Sequence, residues 1–270
     1  MKRCYKRLDL IPEPLHKGFF YEENGMQLID RALSALEILS RNMNGMSVSE
    51  LSAELEIPAS STHRILASLK ANHFVFQDEE TRKYRLGYKV CGIASGVVKG
   101  SALTLAAKPY MKLLAQEIDR NVVLCVMEHH SIMNISSVER NDSNMYMVKI
   151  GYEMPIYATS AGRIFAAYME RQHALELLSE ERRTKTTPYT KTSLQDLDEE
   201  LDRVRKDGYA LIDEELQLGM QGVACPIFDV TGEPAAALAF TTVKEQDPDG
   251  LKDKIERLLH YAEEISHAIC

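Results

Sequence analysis

The residues best equipped for chemistry lie together in the first third of the chain. Ser60, Ser61, Thr62, His63 and Arg64 follow one another directly after Ile57-Pro58-Ala59. Hydroxyls, an imidazole and a guanidinium are donors for phosphate oxygens and base edges, and a helix N-terminus adds its own unpaired amides. Arg64 can donate bidentately to a guanine or clamp a phosphate. A second basic pair, Arg82 and Lys83, sits further on in a charged turn, and Ser49 joins the candidate contact set. Taken singly, each has a plainer reading. Ser60 would serve as a helix cap, Arg64 as an internal ion-pair partner, and Arg82 with Lys83 as a solvated turn. Their order along the chain is what carries the stronger reading.

Nothing comparable suggests catalysis. His129-His130 are adjacent, and adjacent residues on a strand or turn point apart, which makes them a surface pair. The chain has no GxSxG, no P-loop and no Cys/His cluster with metal-ligand spacing, so no catalytic residue, metal or cofactor is expected. The five cysteines are widely spaced without a CxxC, which suits free thiols in a reduced, cytoplasmic setting. Cys125 and Cys225 fall in apolar runs and read as packing residues.

The candidate contacts need elements to hold them. Leu28, Ile29, Ala32, Leu33, Leu36 and Leu39 recur at helical spacing and predict one apolar helix face, ended by Asn42, Asn44 and Gly45. Ser47 with Glu50 three residues later is a capping box, opening a short helix that buries Val48, Leu51 and Leu55. A third helix over 60–72 points Ile65, Leu66 and Leu69 inward and leaves 60–64 and Ser68 mostly outward. Residues 74–76 and 82–86 flank a polar turn and read as a hairpin. Three helices and a hairpin over 26–86 make a winged helix-turn-helix. Residues 1–25 are an arm without clear periodicity. Residues 87–101, with Gly92, Gly96 and Gly100 four apart, read as a linker helix weakened by glycine.

From 102 onward the pattern is mixed. Helices are expected over 103–118, 159–178 and 194–207, and a last one behind the Asp247-Pro248 start signal. Strands are expected over 122–127, 132–138, 146–149, 209–212, 222–228 and 235–241. The acidic run Asp196, Asp198, Glu199, Glu200 and Asp202 reads as a solvated helix face. The fold class is α+β, with an antiparallel sheet covered by helices over 102–270.

Charge divides along the same line. The chain has 270 residues, 32 Lys+Arg and 40 Asp+Glu, a net charge of −8. Residues 1–90 hold 13 basic and 12 acidic residues, and 91–270 hold 19 and 28, so the first third carries +1 and the last two thirds −9. The acidity therefore sits away from the basic contact set. A near-neutral reading module implies few phosphate contacts per subunit, so affinity should come from pairing subunits. No apolar run reaches the roughly 18 residues of a membrane helix. The N-terminus lacks the apolar stretch of about 7–15 residues that a secretory signal needs.

Leu28-Ile29-Asp30-Arg31-Ala32-Leu33, Ser47-Val48-Ser49-Glu50-Leu51 and Ile57 through Leu66 resemble the helix-turn-helix of IclR-type transcriptional regulators. Tyr84-Arg85-Leu86-Gly87 resembles the end of that family's wing. The likeness continues through Gly151-Tyr152-Glu153-Met154-Pro155, Ala158 to Arg163, Gly208-Tyr209-Ala210, Asp213-Glu214-Glu215 and Val223-Ala224-Cys225-Pro226, covering about 26–270. The resemblance implies a GAF-like C-terminal domain that binds a small effector. By position its pocket would include Met154, Ser160, Ala161, Gly162, Ile212, Met220, Gly222, Ala239 and Thr241, with Asp213 adjacent. Ile212 and Gly222 stand where family members often carry acidic and small polar residues. Together with Met154 and Met220 they suggest a carboxylate with an apolar part.

The function expected is a regulator that binds a palindromic DNA operator as a homodimer or dimer of dimers, under control of that effector and without a membrane partner. An enzyme acting on a small organic acid, with the helix-turn-helix used only for oligomerisation, is the alternative. A regulator answering to a partner protein is a third.

Overall fold

The structure, a computed structural model, describes residues 27–140, 150–151, 153–245 and 247–270. The N-terminal arm, the strand expected over 146–149 and Tyr152 lie outside them. The chain divides into two units, one ending at Gly100 and the other running from Ser101 to Cys270.

The first unit is three helices and a hairpin. Helix α1 spans Gln27–Arg41, α2 Val48–Glu54 and α3 Ala59–Ala71. Strands β1 (Val75–Gln77) and β2 (Tyr84–Leu86) pair antiparallel, Val75 opposite Leu86. Their small core contains Ala35, Leu39, Leu51, Ile65, Leu66, Val75 and Tyr84. The single apolar face expected on α1 is corrected. Ala35 and Leu39 are buried, but Leu28, Ile29 and Leu33 are more than half exposed. Ala32 and Leu36 pack on the core with Ala35 and Leu39, so its contact with α1 begins in the helix's second turn among the described residues. The capping box forms as expected: Ser47 Oγ accepts from Glu50 N, and Glu50 Oε2 accepts from Ser47 N at 2.7 Å. Helix α4 (Lys89–Gly100) follows the hairpin. A side chain at Gly92 or Gly96 would meet nothing within 4 Å, so neither glycine serves a close contact among the described residues.

In the second unit, α5 (Ala102–Ile118) leads into β3 (Val122–Glu128) and β4 (Ser131–Val138). Then come β5 (Glu153–Met154), α6 (Ser160–Tyr168), α7 (Arg171–Glu180) and α8 (Leu194–Asp207). Strands β6 (Ala210–Asp213), β7 (Met220–Phe228) and β8 (Pro234–Val243) precede α9 (Pro248–Ile269). The six strands form one antiparallel sheet in the order β5-β4-β3-β8-β7-β6. One face packs on α6, α7 and α8, and the other on α5 and α9. Helix α8 ends at Gly208 in the left-handed region, and Asp247 caps α9.

One expected helix is two. The run over 159–178 breaks at Met169-Glu170 because the Glu170 carboxylate accepts from the amides of Gln172 and His173, both at 3.1 Å. That starts a new helix. The guanidinium of Arg205 donates to the carbonyls of Ala167 and Met169, closing the end of α6.

Candidate functional site

The first candidate site is the outer face of α3 with the tip of the hairpin. Ser60, His63 and Arg64 are exposed in the first turns of α3, and Ser61 is half-buried. Their side chains make no hydrogen bond or ion pair with any described residue. Pro58 occupies the N-cap without a side-chain bond, so Ser60 is not the cap. Ala67, Ser68 and Ala71 continue the exposed stripe.

Thr62 is a correction. It is fully buried, and its hydroxyl donates to the carbonyl of Pro58 at 3.3 Å. Residues 62, 65, 66 and 69 share one helix face, and that face is the inward one. A threonine tolerates the position because its hydroxyl finds a partner within the helix.

At the hairpin tip, Asp78 Oδ1 accepts from Thr81 N and Oγ1, both at 2.8 Å, and from Glu80 N at 3.2 Å. These bonds hold the carboxyl below its usual range and fix the turn. Arg82 is exposed beyond it in a left-handed conformation. Lys83 is partly engaged: its Nζ lies 3.3 Å from Glu50 Oε1 and ties the hairpin to the capping box. Ser49 is exposed, its hydroxyl 3.1 Å from that of Ser47.

The second candidate site lies at the N-terminus of α6, above the sheet. Strand register aligns Ile212, Gly222 and Thr241 in one row, and Ala210, Ala224, Ala239 and Val123 in the next. The small side chains of the second row let α6 close onto the sheet, with Ala161, Ile164 and Phe165 in the same core. Thr159 caps α6: its Oγ1 accepts from Gly162 N at 3.1 Å and donates to Pro155 O at 2.8 Å. The amides of Ser160 and Ala161 meet no acceptor among the described residues. They sit where the helix dipole favours an anion.

Ser160, Ile212 and Gly222 come together directly. A Cβ on Gly222 would lie 3.6 Å from both Ser160 Oγ and Ile212 Cγ1. Ala161, Ala239 and Met220 are buried around them, and Thr241 is exposed at the end of its row. Met154 packs on the same core but from β5, at the opposite edge of the sheet from β6 with four strands between them. Gly162 has a packing reason of its own. A Cβ there would come within 2.3 Å of the Ile156 carbonyl oxygen.

Asp213 does not join the group. It follows Ile212 on the strand and so points to the other face. There it accepts from Gln221 Nε2 at 3.3 Å and pairs with Lys244 at 2.9 Å.

Beside this site lies an ion network for which residue type alone held little signal. Arg163 is 1% exposed and donates to both carboxylate oxygens of Glu215, at 2.7 and 2.5 Å, and to the Tyr157 carbonyl. Thr186, Thr187 and Thr190 donate to the Glu215 carbonyl, so residues 186–191 strap the turn after β6. Lys191 N donates to Glu215 Oε2, and its Nζ lies 2.5 Å from Glu200. The one signal available was an arginine inside the apolar run 161–167. Glu200 also corrects the solvated-face reading of α8. It is 6% exposed and shares the inward stripe of Leu197, Leu201 and Val204. Burial is sustained by Lys191 and by Arg203 at 2.6 Å. The Glu181 carboxylate pins the approach to α6 by accepting from Ile156 N at 2.7 Å and Tyr157 N at 2.9 Å. Burial pushes that carboxyl up from its ordinary value.

No group of His, Cys, Asp and Glu that could hold a metal occurs among the described residues. His129 and His130 are exposed in the β3–β4 turn. Burial pushes the Cys125 thiol up to about 12, and that of Cys225 upward as well.

Comparison with known proteins brings both sites under one description. Residues 28–79 match the IclR helix-turn-helix domain, and residues 95–267 match the bacterial transcriptional regulator IclR C-terminal domain. The transcriptional repressor IclR of Escherichia coli K12 is 28% identical over 218 residues, 80% of each chain. The regulator XynR of the same organism is 25% identical over 243 residues, 90% of this chain and 94% of that one. The crystal structure of Thermotoga maritima IclR superposes with a TM-score of 0.75 at 25% identity, over 91% of this chain and 99% of that one. An IclR homolog from Microbacterium hydrocarbonoxydans, solved with 4-hydroxybenzoate, has the same fold. Its TM-score is 0.78 at 21% identity, over 90% of this chain and 98% of that one. The enzyme alternative falls with these matches, because both family models and the relative are those of transcriptional regulators. The chain belongs to the IclR family of DNA-binding transcriptional regulators, with a helix-turn-helix domain and an effector-binding domain.

Proposed function

We propose that this chain is a cytoplasmic regulator that reads a palindromic operator as a dimer, or dimer of dimers, through the outer face of α3 and the hairpin tip. A small carboxylate with an apolar part, bound at the N-terminus of α6, controls that binding. The observation that carries the first half is the polar stripe of Ser60, Ser61, His63 and Arg64 at the start of α3, whose side chains have no partner among the described residues. Such a stripe suits the major groove, where the N-terminal residues of a recognition helix meet base edges. Arg82 and Lys83 then face the phosphate backbone. Thr62 contributes by packing alone.

Pairing has support in the apolar surface left open. Leu28, Ile29 and Leu33 on α1, and Ile93 and Val97 on α4, are each more than half exposed. A second copy that covered them would set the half-site spacing. The effector class rests on the amides of Ser160 and Ala161, which meet no acceptor among the described residues, at a helix N-terminus next to the apolar Ile212. The homolog solved with 4-hydroxybenzoate holds a ligand of that chemistry. An effector acts only through a difference in affinity between two arrangements of the regulator.

The test is a double substitution, Ser61→Ala with Arg64→Ala, assayed on a duplex that the wild-type protein selects from a random pool. Binding should weaken by about tenfold or more, since one bidentate arginine contact is worth roughly 1–3 kcal/mol. The melting temperature should stay put. Unchanged affinity for that duplex would remove α3 from the reading.

A further inference from the structure

The hairpin of the first unit closes on a bulge. Asp78 N donates to the Lys83 carbonyl at 2.8 Å, and the Asp78 carbonyl accepts from Arg82 N at 3.0 Å. Two residues, Arg82 and Lys83, thus stand opposite one. The first of them is left-handed, with φ 57°. A bulge of this kind takes glycine at its left-handed position, because a Cβ there crowds the backbone. The turn would form more readily with glycine, yet the chain places an arginine there. A side chain kept against the preference of its own backbone points to a use outside the fold.

Side-chain bonds hold the strained residue in place. Gln77 Nε2 donates to the Arg82 carbonyl at 3.1 Å, and Gln77 Oε1 accepts from Lys70 Nζ at 3.2 Å. Lys70 lies in the last turn of α3. One glutamine therefore ties the tip of the hairpin to the helix whose outer face carries Ser60, His63 and Arg64. Both bonds are exposed, so folding merely exchanges water for a protein partner and gains little stability from them. What they do fix is the direction of the tip.

The charges of the tip make that direction matter. Residues 78–83 set Asp78, Glu79 and Glu80 against Arg82 and Lys83, three acids to two bases, a net charge of −1. Lys83 Nζ lies 3.3 Å from Glu50. Arg82 is exposed, and its guanidinium has no partner among the described residues. A tip of this composition has no bulk attraction for a polyanion. It can meet the DNA backbone only through a cation that is aimed.

We infer that Gln77 is a positioning residue for operator binding: it holds Arg82 left-handed at the bulge and so directs that guanidinium onto a single DNA phosphate. This rests on the reading of α3 and the hairpin tip as the DNA-binding surface.

The experiment uses the full chain and the duplex that the wild type selects from a random pool, beside a scrambled duplex of equal length. Arg82→Gly should lose affinity for both by the same factor, about tenfold or more, as for one charge-assisted phosphate bond. The slope of log affinity on log salt should flatten by about 0.9 for each subunit bound. Arg82→Lys keeps a cation on the same backbone, so its slope should match the wild type. Gln77→Ala should weaken binding about threefold or more in the wild-type chain, and not at all in the Arg82→Gly chain. The melting temperature of Arg82→Gly should hold or rise, because glycine relieves the left-handed strain. Equal affinity and salt slope of the wild type and Arg82→Gly, with the Ser61→Ala/Arg64→Ala protein still impaired, would overturn the inference and leave the reading of α3 standing. So would a Gln77→Ala loss that persists in full in the Arg82→Gly chain. A lower melting temperature of Arg82→Gly would overturn it too, by making the side chain a brace of the fold. A wild type that selects no duplex overturns both.

Discussion

At the start of α3, the side chains of Ser60, His63 and Arg64 are exposed and have no partner among the described residues. At the start of α6, Ser160, Ala161 and Arg163 are buried, and Arg163 is held by Glu215 and the Tyr157 carbonyl. Both places are helix N-termini with amides to offer, yet they are finished differently. A surface that docks on a macromolecule can leave its donors to water until the partner supplies acceptors. A site for a small molecule has to be walled before the ligand arrives, because the ligand brings too little surface to order the walls itself. The difference appears in what a substitution should do. Changes on α3 should cost binding without stability, and changes around α6 should cost stability first.

The hardest test of that contrast is Arg163→Met. It leaves the Glu215 carboxylate, 3% exposed, without its bidentate partner. Breaking a buried pair from one side costs about 3–5 kcal/mol. Urea unfolding of the C-terminal unit should show a loss of that order, and a loss below about 1 kcal/mol would mean that the network does not brace the site. Gly162→Ala comes next. Its Cβ would strike the Ile156 backbone, and overpacking of this kind costs roughly 1–3 kcal/mol. A neutral outcome at Gly162 would show that α6 can shift away from the Ile156 backbone at no cost. Ser47→Ala should remove about 1 kcal/mol by opening the capping box. That loss should show in the N-terminal unit and spare the thermal unfolding of the other. The smallest effect is chemical. Native protein treated with a thiol reagent near neutral pH should react at the exposed Cys91 and Cys270 long before Cys125 and Cys225, whose thiols burial holds neutral. Rapid labelling of Cys125 would show that the α6 face of the sheet opens readily.

Much of the fold was legible because its signals are local. The Ser47/Glu50 box, the Gly208 stop and the Asp247-Pro248 start each act within one turn of a helix and are found where they were expected. The misreadings share one cause. Thr62 and Glu200 were placed outward by residue type, although each sits on the same helix stripe as buried apolar neighbours. Helical phase prevailed in both, because a partner was in reach: the Pro58 carbonyl for Thr62, and Lys191 with Arg203 for Glu200. Asp213 errs in the strand version of the same way, one residue away from a pocket wall and on the opposite face of the sheet.

The sequence by itself determined the order of most elements, the division of charge between the first third and the rest, the polar start of α3 and the family to which these belong. Each depends on neighbours along the chain, where spacing and residue type act directly. Tertiary structure alone decided which polar groups are inside, which glycine packing requires, and that Ser160, Ile212 and Gly222 share one small space. Those outcomes depend on strand register and on contacts between residues far apart in sequence, such as Arg163 with Glu215, and no local pattern encodes them.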